Sequence, residues 1–476
     1  MKRPAPATTT ASDADAESAT WQNSYVSDSS DDGSASQQQH RQCFSNCSIP
    51  SCASVLANRR RKRPTPSEGE RALIEDLNAL SIKEREEVYE DIHGVRGSGV
   101  VQETPEMVSR AVIDVWECIG RIKRHRKEAY ELALMMCPAF VQDRAFVLMF
   151  LRADFFDVAK AATRLVNHFE VKLELFGVDR LVKQITWEDL DEGTRAVVLT
   201  KAMQHFPGLV DTVGRTVIIG YTAREDYSNQ QNHHRATWYF LMGLMRDNED
   251  AQRRGVVAIG YMVGMSERKL NESMSTNIAK EPECLPMRYA TLHICYNSPK
   301  LRPMLSFMQL VASTQTRLRL RTHFGTDVEC LYELMAFGVR QDVFPVDSEG
   351  NLSTDRYAEA LDTRRRREAE MEEARRQSSK IEYPRSIDVL FGRGKTFKDF
   401  HGNVLMHACI DRYKDNYRRA SSREEKTTIV EVVVMTIKDS GGRFLRRCKD
   451  PMDGWEVVPF VAAREKISYT IRARLK

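Results

Sequence analysis

Apolar positions change their spacing twice along the chain. Up to about residue 69 they follow no period; Ser, Ala, Asp and Gln dominate, with a glutamine run at Gln37 to Gln39. Such a segment buries too little surface to offset chain entropy and is expected to be disordered. From residue 70 to about 176 the spacing is helical. Thr104-Pro105-Glu106 supplies a cap, a first-turn proline and an acid. The predicted helix runs on to Met136, carries Val108, Val112, Val115, Trp116 and Ile119 on one face, and stops at Pro138. Two further helices are predicted, Asp143 to Leu151 and Val158 to Phe176, the second closed by Gly177. From Gly214 short apolar runs alternate with helical stretches. Thr216 to Tyr221, Val256 to Val263, Tyr289 to Tyr296 and Leu318 to Phe324 predict buried strands. Helical spacing over Asn229 to Asp250, Glu267 to Lys280 and Lys300 to Val311 separates them. That alternation predicts an α/β lobe: a mixed or mainly parallel sheet with helical crossovers. Residues 355 to 379, nearly all charged or Ala, predict an exposed helical linker, and a small α+β domain follows Pro384.

The 476 residues exceed one hydrophobic core, so two or three domains are expected. No apolar run reaches the roughly 18 residues that span a bilayer, and MKRPAPATTT is not a secretory leader. The ten scattered cysteines fit reduced thiols, and an intracellular, cytoplasmic protein is expected. A net charge of +4 does not call for a polyanionic partner. The basic run Arg59-Arg60-Arg61-Lys62-Arg63 fits a solvated charge cluster or a nuclear import signal. His40, Cys43, Cys47 and Cys52 lack the paired spacing of a zinc knuckle, so no metal site is expected.

Several pieces between 143 and 346 stand in a telling order. Asp143 to Val158 reads DRAFVLMFLRADFFDV; Gly214-Arg215 precedes a strand; Gly255 to Met265 carries the next; His293 to Pro299 reads HICYNSP; a helix then covers Pro299 to Ala312. In this order they resemble a CRAL-TRIO lipid-binding domain, with its helical N-lobe turn, its Gly-Arg strand entry, its asparagine-proline turn and its gate helix. The resemblance implies an apolar slot floored by the sheet and lidded by an amphipathic helix. Ile218, Tyr221, Ile259, Tyr261, Ile294 and Tyr296 are the candidate floor, and Met304, Leu305, Phe307, Met308, Leu310 and Val311 the candidate gate. Methionine-rich surfaces adapt to flexible ligands. Two departures matter. Tyr261-Met262-Val263-Gly264 lacks the acid of the family's strand motif, and Gln309-Leu310-Val311 lacks the late gate-helix lysine of phosphoinositide binders. Arg317, Arg319 and Arg321 alternate with leucines, placing three cations on one face of a strand as candidate headgroup contacts.

Residues 387 to 476 resemble a second, uncharacterised family known chiefly from diatom and related algal proteins, in which both families occur side by side. The resemblance rests on Asp388 to Lys395 with Gly392, Arg393, Gly394 and Lys395, on His401-Gly402-Asn403, and on Gly441-Gly442-Arg443 with Trp455 downstream. Gly392 to Thr396 invites a phosphate-loop reading, but Val389 stands where the first glycine belongs and no adequate strand is expected before it. Helix, helix, hairpin, helix is expected, with Asp453-Gly454 at the turn. From 386 to 476 there are 19 Lys and Arg against 12 Asp and Glu, a net +7, with Arg443, Arg446, Arg447 and Lys449 as candidate phosphate contacts.

The expected organisation is a tail over 1–69, a helical N-lobe over 70–204, a lipid-binding lobe over 205–346, a linker over 347–383 and a basic domain over 384–476. No Ser/His/Asp order, paired metal ligands or phosphate loop supports an enzyme, and no cofactor is expected. The expected function is non-enzymatic lipid binding or transfer, with a lipid ligand and transient membrane contact. The alternative is a regulatory protein whose C-terminal domain binds DNA or a protein partner.

Overall fold

A computed structural model of the chain describes residues 67–94, 101–225, 227–266, 269 and 284–475. The tail to residue 66, with Arg59 to Arg63 and His40, Cys43, Cys47 and Cys52, lies outside the described residues, as does nearly all of the helix predicted over Glu267 to Lys280.

The first two helices are α1 (Glu68–Ala79) and α2 (Ile82–His93). Each opens on a capping box, Ser67 with Glu70 and Ser81 with Glu84, and α2 stops at Gly94, whose φ of 65° suits glycine. Next come α3 (Pro105–Arg121), α4 (Glu128–Met136), α5 (Pro138–Val141), α6 (Arg144–Ala153), α7 (Val158–Phe176) and α8 (Glu192–Leu199). The single helix predicted from Thr104 to Met136 is thus broken. Arg121, Lys123, Arg124, Arg126 and Lys127 crowd like charge into one stretch, and the Lys127 ammonium turns back to donate to the Ile119 carbonyl at 2.7 Å, closing α3. The α6–α7 turn holds Phe155 and Phe156 at φ 52° and 62°, a left-handed conformation that bulky residues seldom adopt. Arg288 stacks on the Phe155 ring, 4.4 Å from its centroid. Val115, Ala133, Val147, Phe150, Leu165 and Phe169 are fully buried where α3, α4, α6 and α7 meet.

The central sheet has five strands in chain order: β1 (Met203–Gln204), β2 (Val217–Tyr221), β3 (Val256–Tyr261), β4 (Tyr289–Tyr296) and β5 (Leu320–Phe324). β2 to β5 are parallel, and the short β1, not foreseen from the sequence, pairs antiparallel on the edge. Between and after the strands run α9 (Gln230–Asp247), α10 (Glu249–Arg254), α11 (Arg302–Val311), α12 (Thr314–Arg319), α13 (Asp327–Ala336) and α14 (Asp355–Gln377). The fold is therefore mixed α/β with a mainly parallel sheet. α1 and α2 do not join the helical lobe. α1 packs on α11 and α12, and α2 on α12 and β4.

The charged helix α14 is not an exposed spacer. Tyr357, Leu361 and Glu368 are buried on its inner side. The Glu368 carboxylate accepts from Trp187 N at 2.8 Å, the Tyr239 hydroxyl at 3.0 Å and Arg364 Nε at 2.8 Å. A groove of about 730 Å³ runs between α14 and α9, with Phe206, Phe240 and Leu244 at its base.

The C-terminal part holds β6 (Val389–Phe391), α15 (Lys395–Asp399), α16 (His401–Arg419), α17 (Arg423–Asp439), β7 (Phe444–Arg447), β8 (Trp455–Val457) and α18 (Phe460–Leu475). β6 pairs parallel with β7, and β7 antiparallel with β8. The predicted hairpin exists, but Cys448 to Gly454 form a longer loop in place of a two-residue turn. Its own core is built from Ile410, Val433, Val434, Ile467 and Ile471.

Candidate functional site

Strand alternation sorts the candidate floor residues. The parallel register aligns Ile218 with Ala258, Leu292 and Leu320, and Gly220 with Gly260, Ile294 and Thr322. These side chains share one face with Tyr296. On it sits α11. Met304 and Leu305 are buried and cluster with Ile294, Tyr296, Leu301, Leu320 and, from the loops beyond the strands, Met262, Met265 and Tyr227; Met308 packs at the edge. Phe307, Leu310 and Val311 lie on the outer side of α11 and are 55%, 41% and 53% exposed. The candidate gate therefore divides into an inner and an outer row.

Tyr221, Ile259 and Tyr261 turn to the opposite face, so the expectation that they line the same slot is corrected. The Tyr261 hydroxyl donates to Asp327 Oδ1 at 2.6 Å, and the Tyr221 hydroxyl to the Gly350 carbonyl at 2.6 Å. The two rings stack with centroids 5.6 Å apart. On this second face a hydrogen-bonded chain enters from the surface. Glu333 Oε2 lies 2.7 Å from His323 Nδ1, His323 Nε2 lies 2.9 Å from His293 Nδ1, and His293 Nε2 lies 3.2 Å from the Thr291 hydroxyl. Burial, then the neighbouring His323 and Arg321, holds His293 well below the usual histidine range.

Polar groups also border the sheet face that α11 covers. Glu225 is buried, accepts from the Tyr227 hydroxyl and lies 3.9 Å from His233 Nε2. Burial raises its carboxyl above the usual range and outweighs the Tyr227 hydrogen bond and the nearby Lys269. In the helical lobe, burial pulls Lys172 down to about 7, with its ammonium 2.6 Å from the Lys183 carbonyl and over the Phe140 ring.

The candidate headgroup arginines do not share one strand face. Ser313 caps a helix that the alternating pattern concealed, so Arg317 and Arg319 belong to α12 and only Arg321 to β5. All three are engaged. Arg317 Nη1 lies 2.9 Å from Asp76 Oδ2, and its other nitrogens donate to the carbonyls of Gln309, Leu310 and Ala312. Arg319 holds Asp91 at 2.6 and 2.9 Å. Arg321 Nη1 donates to the Leu318 and Leu320 carbonyls.

In the C-terminal domain the motif residues brace the fold. Asp388, fully buried, accepts from Arg443 Nη2 at 2.6 Å, from Arg443 N at 3.0 Å and from Arg385 N at 2.8 Å. Asn403 accepts from Leu390 N and donates to the Leu390 and Phe397 carbonyls. A Cβ at Gly402 would stand 2.0 Å from the Asp388 carbonyl oxygen, and one at Gly442 2.9 Å from that of Ile387. Gly402→Ala is therefore expected to lower the melting temperature of this domain by several degrees, read by calorimetry. Gly441 has a φ of 84°. Strand β6, which the sequence reading did not foresee, precedes Gly392-Arg393-Gly394-Lys395, but α15 after it has only five residues. Lys395 lies 3.9 Å from Glu128, and His401 opens α16. Three of the four candidate phosphate contacts serve the chain itself: Arg443 pairs with Asp388, Arg446 lies over the Phe391 ring and Arg447 over the Trp455 ring. Trp455 is buried, and its indole N–H donates to the Met136 carbonyl at 2.7 Å, docking the domain on the helical lobe. No group of three or more potential metal ligands occurs among the described residues, and no single helix there is long and apolar enough to cross a membrane.

Residues 388–473 match the model of a domain of unknown function, DUF6824. The chain is similar to the crystal structure of Sfh5 with a TM-score of 0.30 and 10% identity, over 63% of this chain and 98% of that one. No curated protein matches the chain by sequence.

Proposed function

We propose that the central part of the chain is a non-enzymatic lipid-binding lobe of the CRAL-TRIO kind, with α11 as its lid. The observation that carries this reading is the amphipathic split of α11: Met304 and Leu305 seal against the apolar face of a parallel sheet, while Phe307, Leu310 and Val311 face outward. An element with apolar residues on both sides suits a lid that leaves its seat for a membrane and exchanges one acyl chain for another. Burying a chain in the vacated slot gains about 0.8 kcal/mol per methylene. The mostly apolar surroundings favour a weakly polar lipid, with Glu225 and Tyr227 as polar groups at the slot's border.

Two measurements test the reading. Protein purified from cells is extracted and its lipids weighed by mass spectrometry; close to one lipid per chain is expected. The absence of both bound lipid and uptake from liposomes would overturn the proposal. Gly260 lies on the sheet face that α11 covers, and a Cβ there would meet its nearest neighbour only at 3.8 Å, so the backbone accepts a Cβ on the side where the slot is proposed. Gly260→Leu is expected to reduce lipid uptake by about tenfold with circular dichroism unchanged.

A further inference from the structure

The helices α1 and α2 cover α11 and α12 through charges. Asp76 of α1 holds Arg317, and Asp91 of α2 holds Arg319 at 2.6 Å and faces Arg288 Nη1 at 3.6 Å. The last carbonyls of α2, those of Asp91 and Ile92, receive the guanidinium of Arg215. Gly69 of α1 lies so close to α11 that a Cβ there would meet the Ser306 carbonyl oxygen at 2.5 Å. Beneath the helices the charges do not balance. Arg215, Arg288, Arg317 and Arg319 face Asp76, Asp91 and Asp211, and Asp211 is committed to Arg215 at 2.6 Å. Arg288 Nε and Nη1 have no hydrogen-bond partner among the described residues. Burial, with Arg319 and Arg215 nearby, pulls Arg288 down to about 10 despite Asp91. Without α1 and α2, four guanidiniums would face one carboxylate. The surface around them is amphipathic: exposed Phe307, Leu310 and Val311 on α11, and exposed Ile74 and Leu77 on α1. Cations rimming exposed apolar residues fit the interface of a bilayer better than a nucleic acid or an acidic peptide.

We propose that the arginine surface under α1 and α2 docks on an anionic lipid bilayer, and that Asp76 and Asp91 occupy it until the bilayer takes their place. The inference rests on the lipid-slot reading for its consequence: the helices that cover the arginines also hold the lid, so an anionic membrane unlocks α11 where lipid is exchanged. Each arginine released onto such a surface strengthens binding roughly fivefold.

The test uses the full chain with phosphatidylcholine vesicles, with and without phosphatidylserine. Hydrogen exchange over α1 and α2 is expected to speed up with the anionic vesicles only, and to slow again as salt is raised. The D76N/D91N variant is expected to bind anionic vesicles about tenfold more tightly than the native chain, and neutral vesicles equally. Because D91N also removes a buried counter-charge, the exchange measurement on the native chain stands independently of that variant's folding. Unchanged protection of α1 and α2 on the bound chain would overturn the proposal, as would release by an acidic polypeptide or RNA without release by vesicles. Release by anionic vesicles from a chain that never holds lipid would remove the slot and leave the docking surface standing.

Discussion

Replacing Asp388 with alanine is expected to destabilise the C-terminal domain strongly while the helical and sheet lobes keep their stability. Its carboxylate is fully buried and takes hydrogen bonds from the Arg443 guanidinium, from the Arg443 N–H, which ties the start of β6 to that of β7, and from the Arg385 N–H of the turn before β6. Removing the carboxylate leaves the two buried-side N–H groups without their acceptor and Arg443, about a third exposed, without its partner, at a cost of about 3 kcal/mol, the low end for a buried pair because water reaches the guanidinium. A small domain carries only about 5–15 kcal/mol of stability, so the loss is a large fraction of it. Hydrogen exchange over α16, α17 and α18 reads the result; unchanged protection would sink the argument. The pH dependence has a definite sign. Burial alone would raise this carboxyl, but Arg443 and the N–H donors outweigh it and hold it below its ordinary value of 3.8. A depressed folded-state value means the contribution is complete above the unfolded value and disappears as pH falls through the folded one. Acid titration of the native chain should therefore show this domain losing stability only below about pH 4. The D388N variant should lack that acid-dependent step.

The second large effect is expected from Trp455→Ala. The indole fills the junction between β8 and the α4–α5 corner, and its N–H caps the Met136 carbonyl, one of the α4 carbonyls left without an intrahelical partner. Removing a buried tryptophan costs about 3–5 kcal/mol, here drawn mainly from the contact between the two parts. Other links remain: Ser386 bonds Asp179, and the turn Pro451–Asp453 packs on α5. The expected outcome is a domain that stays folded but swings away, seen as a larger radius of gyration and as new protease cleavage between α14 and β6. Trp455→Phe keeps most of the packing and should cost only about 1 kcal/mol for the lost hydrogen bond. If the alanine and phenylalanine variants behave alike, the indole is not the anchor.

Much of this arrangement is legible in the chain, and the reasons for the rest are physical. The four parallel strands stand out because residues buried on both faces form unbroken apolar runs. That same property hides which residue faces α11, since an unbroken run carries no alternation. Ile218 and Tyr221 are three apart and must point to opposite faces, which spacing alone reveals; the alignment of Ile294 with Gly260 needs the register. The arginines mislead for a related reason. Arg-Leu-Arg-Leu-Arg alternates as a strand does, but Ser313 caps a short helix through Thr316, and the strand begins only at Leu320. Strands β1 and β6 have two and three residues and exist only through their neighbours. The covering role of α1 and α2 was also hidden: their helical period is evident, but Asp76 and Asp91 meet their arginines more than 220 positions away. In the C-terminal domain Asp388, Asn403, Gly402 and Arg443 were legible as a motif, though not as braces.

Helix α14 bears on how such chains can be recombined. Its Glu368 lies under Trp187 and Tyr239, and its Tyr357 and Leu361 are buried, so the helix is a wall of the lobe that precedes it. A fragment cut at residue 346, before this helix, would bare an indole and a phenol and strand the amide of Trp187. The workable crossover lies after Gln377, in the short stretch before β6. Even there a transplanted partner domain must bring a residue able to fill the place of Trp455. Exchange of parts between chains of this architecture is thus constrained to partners that carry both halves of the joint.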